Sequence, residues 1–486
     1  MPLLWRHLFT PIEMHKPFNK PILLVLMLFT LLACDQKNEK NNSPDEPEMW
    51  LTSLDKKSLL EKRELTASKE NDFKAQATIT VDTSRKFQKI DGFGYTLTGG
   101  SALHINQMSD DARNELLQEL FGTGNDQIGV SYLRLSIGAS DLDEAPFSYN
   151  DLEEGETDAQ LEKFSLAKDS LHLIPVLKEI LEIAPDIKIL GSPWSPPVWM
   201  KDNGDTRGGS LKEEYYPAYA LYFVKYIQAM AQEGITIDAI TIQNEPLHPG
   251  NNPSLLMLAK DQAVFIKDHL GPLFKEKGIE TKIILYDHNA DRPDYPISIL
   301  DDADAAQYVD GSAFHLYGGD ISALSKVHEA HPDKNLYFTE QWVGAPGNFA
   351  QEMEWHTENL IIGATRNWSK NVLEWNLAAD ENQQPHTDRG GCDRCLGAIT
   401  ITGDEVTREP AYYIIAQASK FVRPGAVRVA SNIPENVPNV AFLSPEGKVV
   451  MILQNKNEEQ KNIVIEIGER SYNVSLPAKS VASLNF

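Results

Sequence analysis

Two glutamates, Glu245 and Glu340, each close a short apolar run, in DAITIQNEP (238–246) and NLYFTEQW (335–342). Two carboxyl groups held in different surroundings can run acid and base chemistry together, one staying protonated while the other stays ionised. Cleavage of an acetal between sugars needs this division of labour: a proton for the leaving oxygen, and an anion that stabilises or captures the developing oxocarbenium ion. Asn244, directly before Glu245, adds an amide able to hydrogen-bond a sugar hydroxyl beside the reacting carbon. Most of the 70 acidic residues are expected at the solvated surface. A glutamate that ends the run 239–243 and precedes Pro246 reads differently. Apolar runs this continuous are strands covered on both faces, and the carboxyl ends of parallel strands are where barrel enzymes gather reacting groups.

The elements that must position this pair follow from periodicity. Strand-like runs end near Tyr95, Ser136, Ser192, Asn244, Asp287, His315, Thr339 and Asn376. Amphipathic stretches at 110–121, 171–183, 217–231, 255–270, 321–330 and 354–366 lie between them. Eight such alternations predict an α/β fold, a (β/α)8 TIM barrel, over 91–421. The doubly wound alternative lacks a phosphate loop, because Gly92, Gly94, Gly99 and Gly100 have the wrong spacing and read as tight-turn glycines. After residue 421 short alternating segments appear at 437–444, 449–455, 462–468 and 471–478, and a similar one at 75–82. Residues 71–90 and 422–486 are therefore expected to build one associated β-sandwich from both ends of the chain.

Arg6, Lys16 and Lys20 precede an apolar segment, 21–32, that is short for a membrane span and suited to a signal peptide. It ends Leu31, Leu32, Ala33, Cys34, which resembles the lipobox of bacterial lipoproteins. Residues 1–34 are accordingly expected to be a lipoprotein signal with lipidation at Cys34, an ordinary signal peptide being the alternative. Residues 35–70, rich in Lys, Glu, Asn, Asp and Ser, read as a flexible tether. The expectation is an exported protein of a bacterial cell envelope, attached to a membrane only through its N-terminus. A net charge of -25 argues against nucleic acid or an anionic lipid surface as partner. Cys392 and Cys395 are too few for a four-ligand zinc site and lack a histidine cluster. In an oxidising compartment they read as a local disulfide that stiffens a loop, with a redox pair as the alternative.

Six segments in order, QKIDGFGYTLTGGSA (88–102), YLRLSIGASD (132–141), GSPWSPPVWMKDNG (191–204), TIQNEP (241–246), FTEQW (338–342) and LEWNL (373–377), resemble glycoside hydrolase family 30. That family holds glucosylceramidases, β-1,6-glucanases, related β-glycosidases and xylanases. The resemblance implies a retaining double displacement with Glu245 as general acid/base, Glu340 as nucleophile and no metal or organic cofactor. It also implies that Asn244 binds the 2-hydroxyl, that Arg134 keeps Glu340 ionised, and that Asp141 and Trp194 hold further hydroxyls. His315 and Tyr317 fall beside the nucleophile, and Trp375 would floor the sugar site by stacking. Trp199 and Trp342 read as packing. The expected substrate is a β-glucan or another β-glucoside, with β-1,6-glucan and endo action first. A glucosylceramidase or an exo-acting β-glucosidase is the alternative. From another class comes a surface glycan-binding lipoprotein, which would be expected to have lost one of the two glutamates.

Overall fold

The computed structural model describes residues 47–65 and 73–486, so Cys34 and the apolar segment 21–32 lie outside the described residues. Among these residues, eight parallel strands close a barrel in chain order: β1 (Gly92–Thr96), β2 (Tyr132–Ser136), β3 (Lys188–Ser192), β4 (Ala239–Thr241), β5 (Lys282–Ala290), β6 (Val309–Gly319), β7 (Asn335–Glu340) and β8 (Ser369–Asn376). β8 pairs with β1 to complete the ring. Helices such as Asp110–Phe121, Leu173–Ile183 and Tyr216–Gln232 return the chain, each turning a buried apolar stripe inward.

Alternation along the strands decides what fills the barrel. Tyr132, Leu190, Ala239, Ile284, Ala313, Tyr337 and Leu373, one from each of β2 to β8, form an apolar layer in which large side chains sit beside small ones. Two residues further toward the carboxyl ends the same faces present Arg134, Ser192, Thr241, His315, Thr339 and Trp375, all buried. On β5 that rule would give Tyr286. Instead Tyr286 and Asp287 both take positive φ, 70° and 61°, and the pairing with β6 slips between Tyr286 and His288. Asp287 enters the polar layer in place of the tyrosine, the re-aiming that a β-bulge performs.

Gly99 and Gly100 correct the turn reading. They open a helix, Gly99–Gln107, whose first turn is capped by the Thr98 side chain accepting from Ser101 N. A Cβ at Gly99 would stand 1.7 Å from Asp143 Oδ1, and one at Gly94 would stand 1.8 Å from Tyr132 O. These glycines allow close approach of neighbouring chain rather than a change of direction.

Nine further strands among the described residues form one sheet. Its core joins Met49 and Leu51, near one end of the strand order, to Val474 and Leu476 at the other, so the sheet folds over a single apolar interior. Along Val449–Asn455 the alternate residues Val449, Met451 and Leu453 face that interior, whereas Val450 and Ile452 join the barrel's core. Both faces of this strand are buried, which is why its sequence is continuously apolar. The tether expectation is corrected for part of its length. Glu48–Ser53 is a strand of this sheet, paired with Ser480–Asn485 on one side and Glu61–Glu64 on the other. Its alternating Met49 and Leu51 supply buried apolar area that the polar composition around them hides. The strands Val427–Ser431 and Ser480–Asn485, not anticipated, complete the sheet. No helix among the described residues is long and apolar enough to cross a membrane.

Candidate active site

The carboxyl ends of the barrel strands bring Glu245 and Glu340 together: one carboxylate oxygen of each, with a nitrogen of His315, all lie within 4.8 Å of one another. Both glutamates are buried, 7 % and 6 % exposed. Glu245 stands beyond the end of β4 on a backbone at φ 45°, an uncommon conformation for a side-chain-bearing residue. The strain is held by its N–H donating to Asp287 O at 2.9 Å and by Gln243 Nε2 bridging Trp194 O and Asn244 O. At the end of β7 the ladder slips between Phe338 and Glu340, so the consecutive residues Thr339 and Glu340 both reach the barrel mouth.

Arg134 is fully buried and divides its guanidinium among four partners, Ser192 Oγ accepting from Nη2 at 3.3 Å beside three closer ones. Nη1 donates to Glu340 Oε2 at 2.6 Å, and Nη2 donates to Asn244 Oδ1 and Asp287 Oδ2, each at 2.7 Å. Asn244 is thereby fixed through its oxygen, leaving its Nδ2 donor for a ligand. Tyr317 donates its hydroxyl to Glu340 Oε1 at 3.0 Å. His315 stands between acids, with Nδ1 at 3.2 Å from Glu245 Oε1 and Nε2 at 3.1 Å from Asp287 Oδ1.

Charge follows from this geometry. Burial works against the His315 imidazolium, but the Glu340 charge and the bonds to Asp287 and Glu245 outweigh it and raise His315 to about 9. With both ring nitrogens donating, His315 is a cation and not a metal ligand, so the Glu245, His315 and Glu340 group is poorly suited to hold a metal ion. His288, with Nε2 4.0 Å from Glu245 Oε1, is driven by burial to about 4 and stays neutral. Burial opposes ionisation of Glu245, but the bond from His315 prevails and holds its carboxyl below the ordinary value. Burial raises Glu340, assisted by the Glu245 and Asp287 charges, against the pull of His315 and Arg134. The pair shares its protons as a unit. In the unliganded site these directions favour a proton on Glu340 over one on Glu245. Acetal cleavage requires the reverse division, a protonated Glu245 and an ionised Glu340, and the charges of His315 and Arg134 are the ones that favour the Glu340 anion.

A cleft of about 360 Å³ opens over the pair, lined by Asp141, Trp194, Glu245, Tyr317, Glu340, Trp342 and Trp375 among others. Trp194 and Trp375 stack with ring centres 5.3 Å apart, and Arg134 lies 4.8 Å from the Trp194 ring. The buried Trp194 Nε1 has no partner within the protein, which marks it as a donor for a ligand hydroxyl. Burial, then the Glu340 charge, pushes the Asp141 carboxyl up to about 8, so near neutral pH it can donate as well as accept. Cys392 and Cys395 are joined in a disulfide that packs with Cys395 against Trp194, Trp375 and Leu142 and forms part of the cleft wall. Trp342, read as packing, belongs to this wall, a correction that follows from its place two residues past Glu340 at the strand mouth.

All nine candidate residues from the sequence, Glu245, Glu340, Arg134, Asp141, Trp194, Asn244, His315, Tyr317 and Trp375, meet at this one barrel mouth. Asp287 was not anticipated as a site residue. Its carboxylate accepts five bonds, from Arg134, Ser192 and Thr241 at Oδ2 and from His315 and Thr339 at Oδ1. The available signal was an acid inside an otherwise apolar run.

A closed (β/α)8 barrel with paired, unlike carboxyl groups beneath a tryptophan-lined cleft defines a glycoside hydrolase. The description "Glycosyl hydrolase family 30 TIM-barrel domain" matches residues 90–422, and "Glycosyl hydrolase family 30 beta sandwich domain" matches residues 425–484. The chain belongs to glycosyl hydrolase family 30. It is 33% identical to the endo-1,6-beta-D-glucanase neg1 of Aspergillus fumigatus, over 84% of this chain and 87% of that protein. It is 31% identical to the putative glucosylceramidase 4 of Caenorhabditis elegans, over 79% of this chain and 78% of that protein. The solved structure described as the endo-beta1,6-glucanase BT3312 superposes with a TM-score of 0.84 at 35% identity, covering 90% of this chain and 98% of that one.

Proposed function

We propose that the protein is a retaining endo-acting glycosidase that hydrolyses β-1,6-glucan. The observation that carries the mechanism is the approach of Glu245 and Glu340 within 4.8 Å, close to the ~5–5.5 Å of retaining enzymes and short of the ~6.5–9.5 Å that leaves room for an inverting water. In the first step a Glu340 oxygen bonds to the anomeric carbon while the bond to the leaving oxygen breaks and takes the Glu245 proton. In the second, Glu245 removes a proton from water, whose oxygen displaces Glu340 from the same carbon. Arg134 and Tyr317 steady the carboxylate of Glu340 through both steps, and Asn244 Nδ2 and Trp194 Nε1 are placed to donate to sugar hydroxyls. The linkage rests on the likeness to proteins named as endo-1,6-β-glucanases.

The test is hydrolysis of a linear β-1,6-glucan, gentiobiose, an aryl β-glucoside and glucosylceramide in parallel, with the anomer of the first product followed by NMR. Oligomers with β-configured new ends support the reading. Glucose alone points to exo action, turnover of glucosylceramide alone overturns the substrate, and binding without turnover leaves a glycan-binding protein.

We also propose that the protein is exported and anchored through Cys34, on the support of the basic residues, the apolar segment and the Leu31–Cys34 sequence. Cys34→Ala is expected to move the protein from the membrane fraction to the soluble fraction of cells, read by immunoblot. An unchanged distribution would remove the anchor.

A further inference from the structure

Beside the cleft lies a second, larger depression of about 860 Å³ on the same barrel mouth. Their linings have no residue in common but run side by side along the chain. Trp194 and Asn251 line the cleft, whereas Ser195 and Pro253, one and two residues further on, line the groove. Its floor carries an aromatic pair, Trp199 and Tyr215, edge to face with ring centres 4.9 Å apart. Trp199 is fixed there by Nε1 donating to the backbone and side-chain oxygens of Asn150. The wall is fixed as well: the buried Lys201 Nζ donates to Ser195 Oγ, Thr206 O and Ser254 O, joining three segments of loop.

We propose that this groove binds further sugar units of the same neutral β-glucan chain whose bond is cut in the cleft. The proposal rests on the hydrolase reading above and extends it from one sugar to a polymer. Three features select the ligand. The groove has more than twice the volume of the cleft and is lined from the residue directly after Trp194, so an extension of the substrate is the occupant at hand. Its surface alternates aromatic faces with hydroxyl, amide and carboxylate groups, which suits the apolar C–H faces and hydroxyl edges of sugars. An acyl chain would require an unbroken apolar trough, so a ceramide tail does not fit. Five carboxylates against Lys201 and Lys212 along its lining repel uronate or sulfated chains and leave neutral polysaccharide.

The experiment measures binding of β-1,6-linked gluco-oligosaccharides, dimer to hexamer, to Glu340→Gln protein by calorimetry, with Tyr215→Ala or Trp199→Ala added. Affinity is expected to climb beyond the dimer, and each aromatic variant to cost about tenfold at the hexamer with dimer binding unchanged. In the otherwise unaltered enzyme the same variants should lower kcat/KM on glucan about tenfold and leave the aryl β-glucoside unaffected. Should Trp199→Ala fail to fold, because of its bonds to Asn150, Tyr215→Ala carries the test, its fold checked by an unchanged Tm. Affinity that levels off at the dimer overturns the groove assignment, as does equal loss on polymer and aryl glucoside or no loss on polymer. Failure of the parent enzyme to cleave any β-glucoside would instead refute the hydrolase reading itself.

Discussion

Glu340→Gln is expected to abolish turnover of glucan and of aryl β-glucosides alike, by about 10⁴-fold or more, because no bond to the anomeric carbon can form whatever the leaving group. Glu245→Gln should behave differently. Its loss removes proton donation, worth about 10²–10⁴-fold, for a sugar leaving group that needs a proton to depart. A dinitrophenyl leaving group departs as a stable anion, so the first step on that substrate survives and the glycosyl-enzyme accumulates as a burst. The smaller variants Glu245→Ala and Glu340→Ala assign the roles by rescue. Azide added to Glu245→Ala attacks the glycosyl-enzyme and gives the β-glycosyl azide, while azide in place of the Glu340 carboxylate attacks the substrate directly and gives the α-azide. The two anomers are distinguished by NMR. Exchange of these outcomes between the two positions would reverse the assignment of acid and nucleophile. Formation of an α-configured sugar by the unaltered enzyme would remove double displacement altogether.

The catalytic pair could be read from the sequence because each glutamate closes or follows a continuous apolar run, Leu336 to Phe338 and Ala239 to Ile242, whose buried strand needs no alternation to be recognised. Arg134, His315 and Trp375 sit at even spacing from the buried residues Tyr132, Ala313 and Leu373, so the face they share is implied by the period of the strand. What could not be read is what depends on broken periodicity. Asp287 occupies the layer only because two residues without the freedom of glycine adopt positive φ, a state imposed by neighbouring strands. Glu48–Ser53 is a strand because Ser480–Asn485 offers it an edge, more than 400 residues away in the chain; composition alone describes a tether. The packing of the Cys392–Cys395 disulfide on Trp194 and Trp375 likewise joins loops after different strands, and no local pattern encodes that meeting.

Asp287→Asn is expected to lose more than a typical buried substitution, although the side chain keeps its shape and never needs to touch substrate. All five of its partners present donors to the carboxylate. The Ser192, Thr241 and Thr339 hydroxyls can rotate to other acceptors; the Arg134 guanidinium and the His315 imidazolium cannot. An asparagine amide must aim its NH2 at one of those cations, and two buried positive charges lose their shared counter-ion. Breaking a buried pair from one side costs about 3–5 kcal/mol, read as a fall in Tm. Burial alone would raise the Asp287 carboxyl, yet Arg134 and His315 hold it well below the usual range, so its charge is present throughout the working pH range. With that charge gone, burial is less opposed at His315, and its value falls from about 9. The imidazolium then loses its proton at lower pH, and with it goes the positive charge that stands between Glu245 and Glu340 and favours the Glu340 anion. The basic limb of the kcat/KM profile should accordingly move to lower pH by about one unit or more, with kcat at neutral pH down about 10²–10³-fold. A merely structural role would lower Tm and leave the limb in place. The displaced limb is therefore the result that assigns Asp287 as the residue that keeps His315 charged, and an unmoved limb would deny it that role.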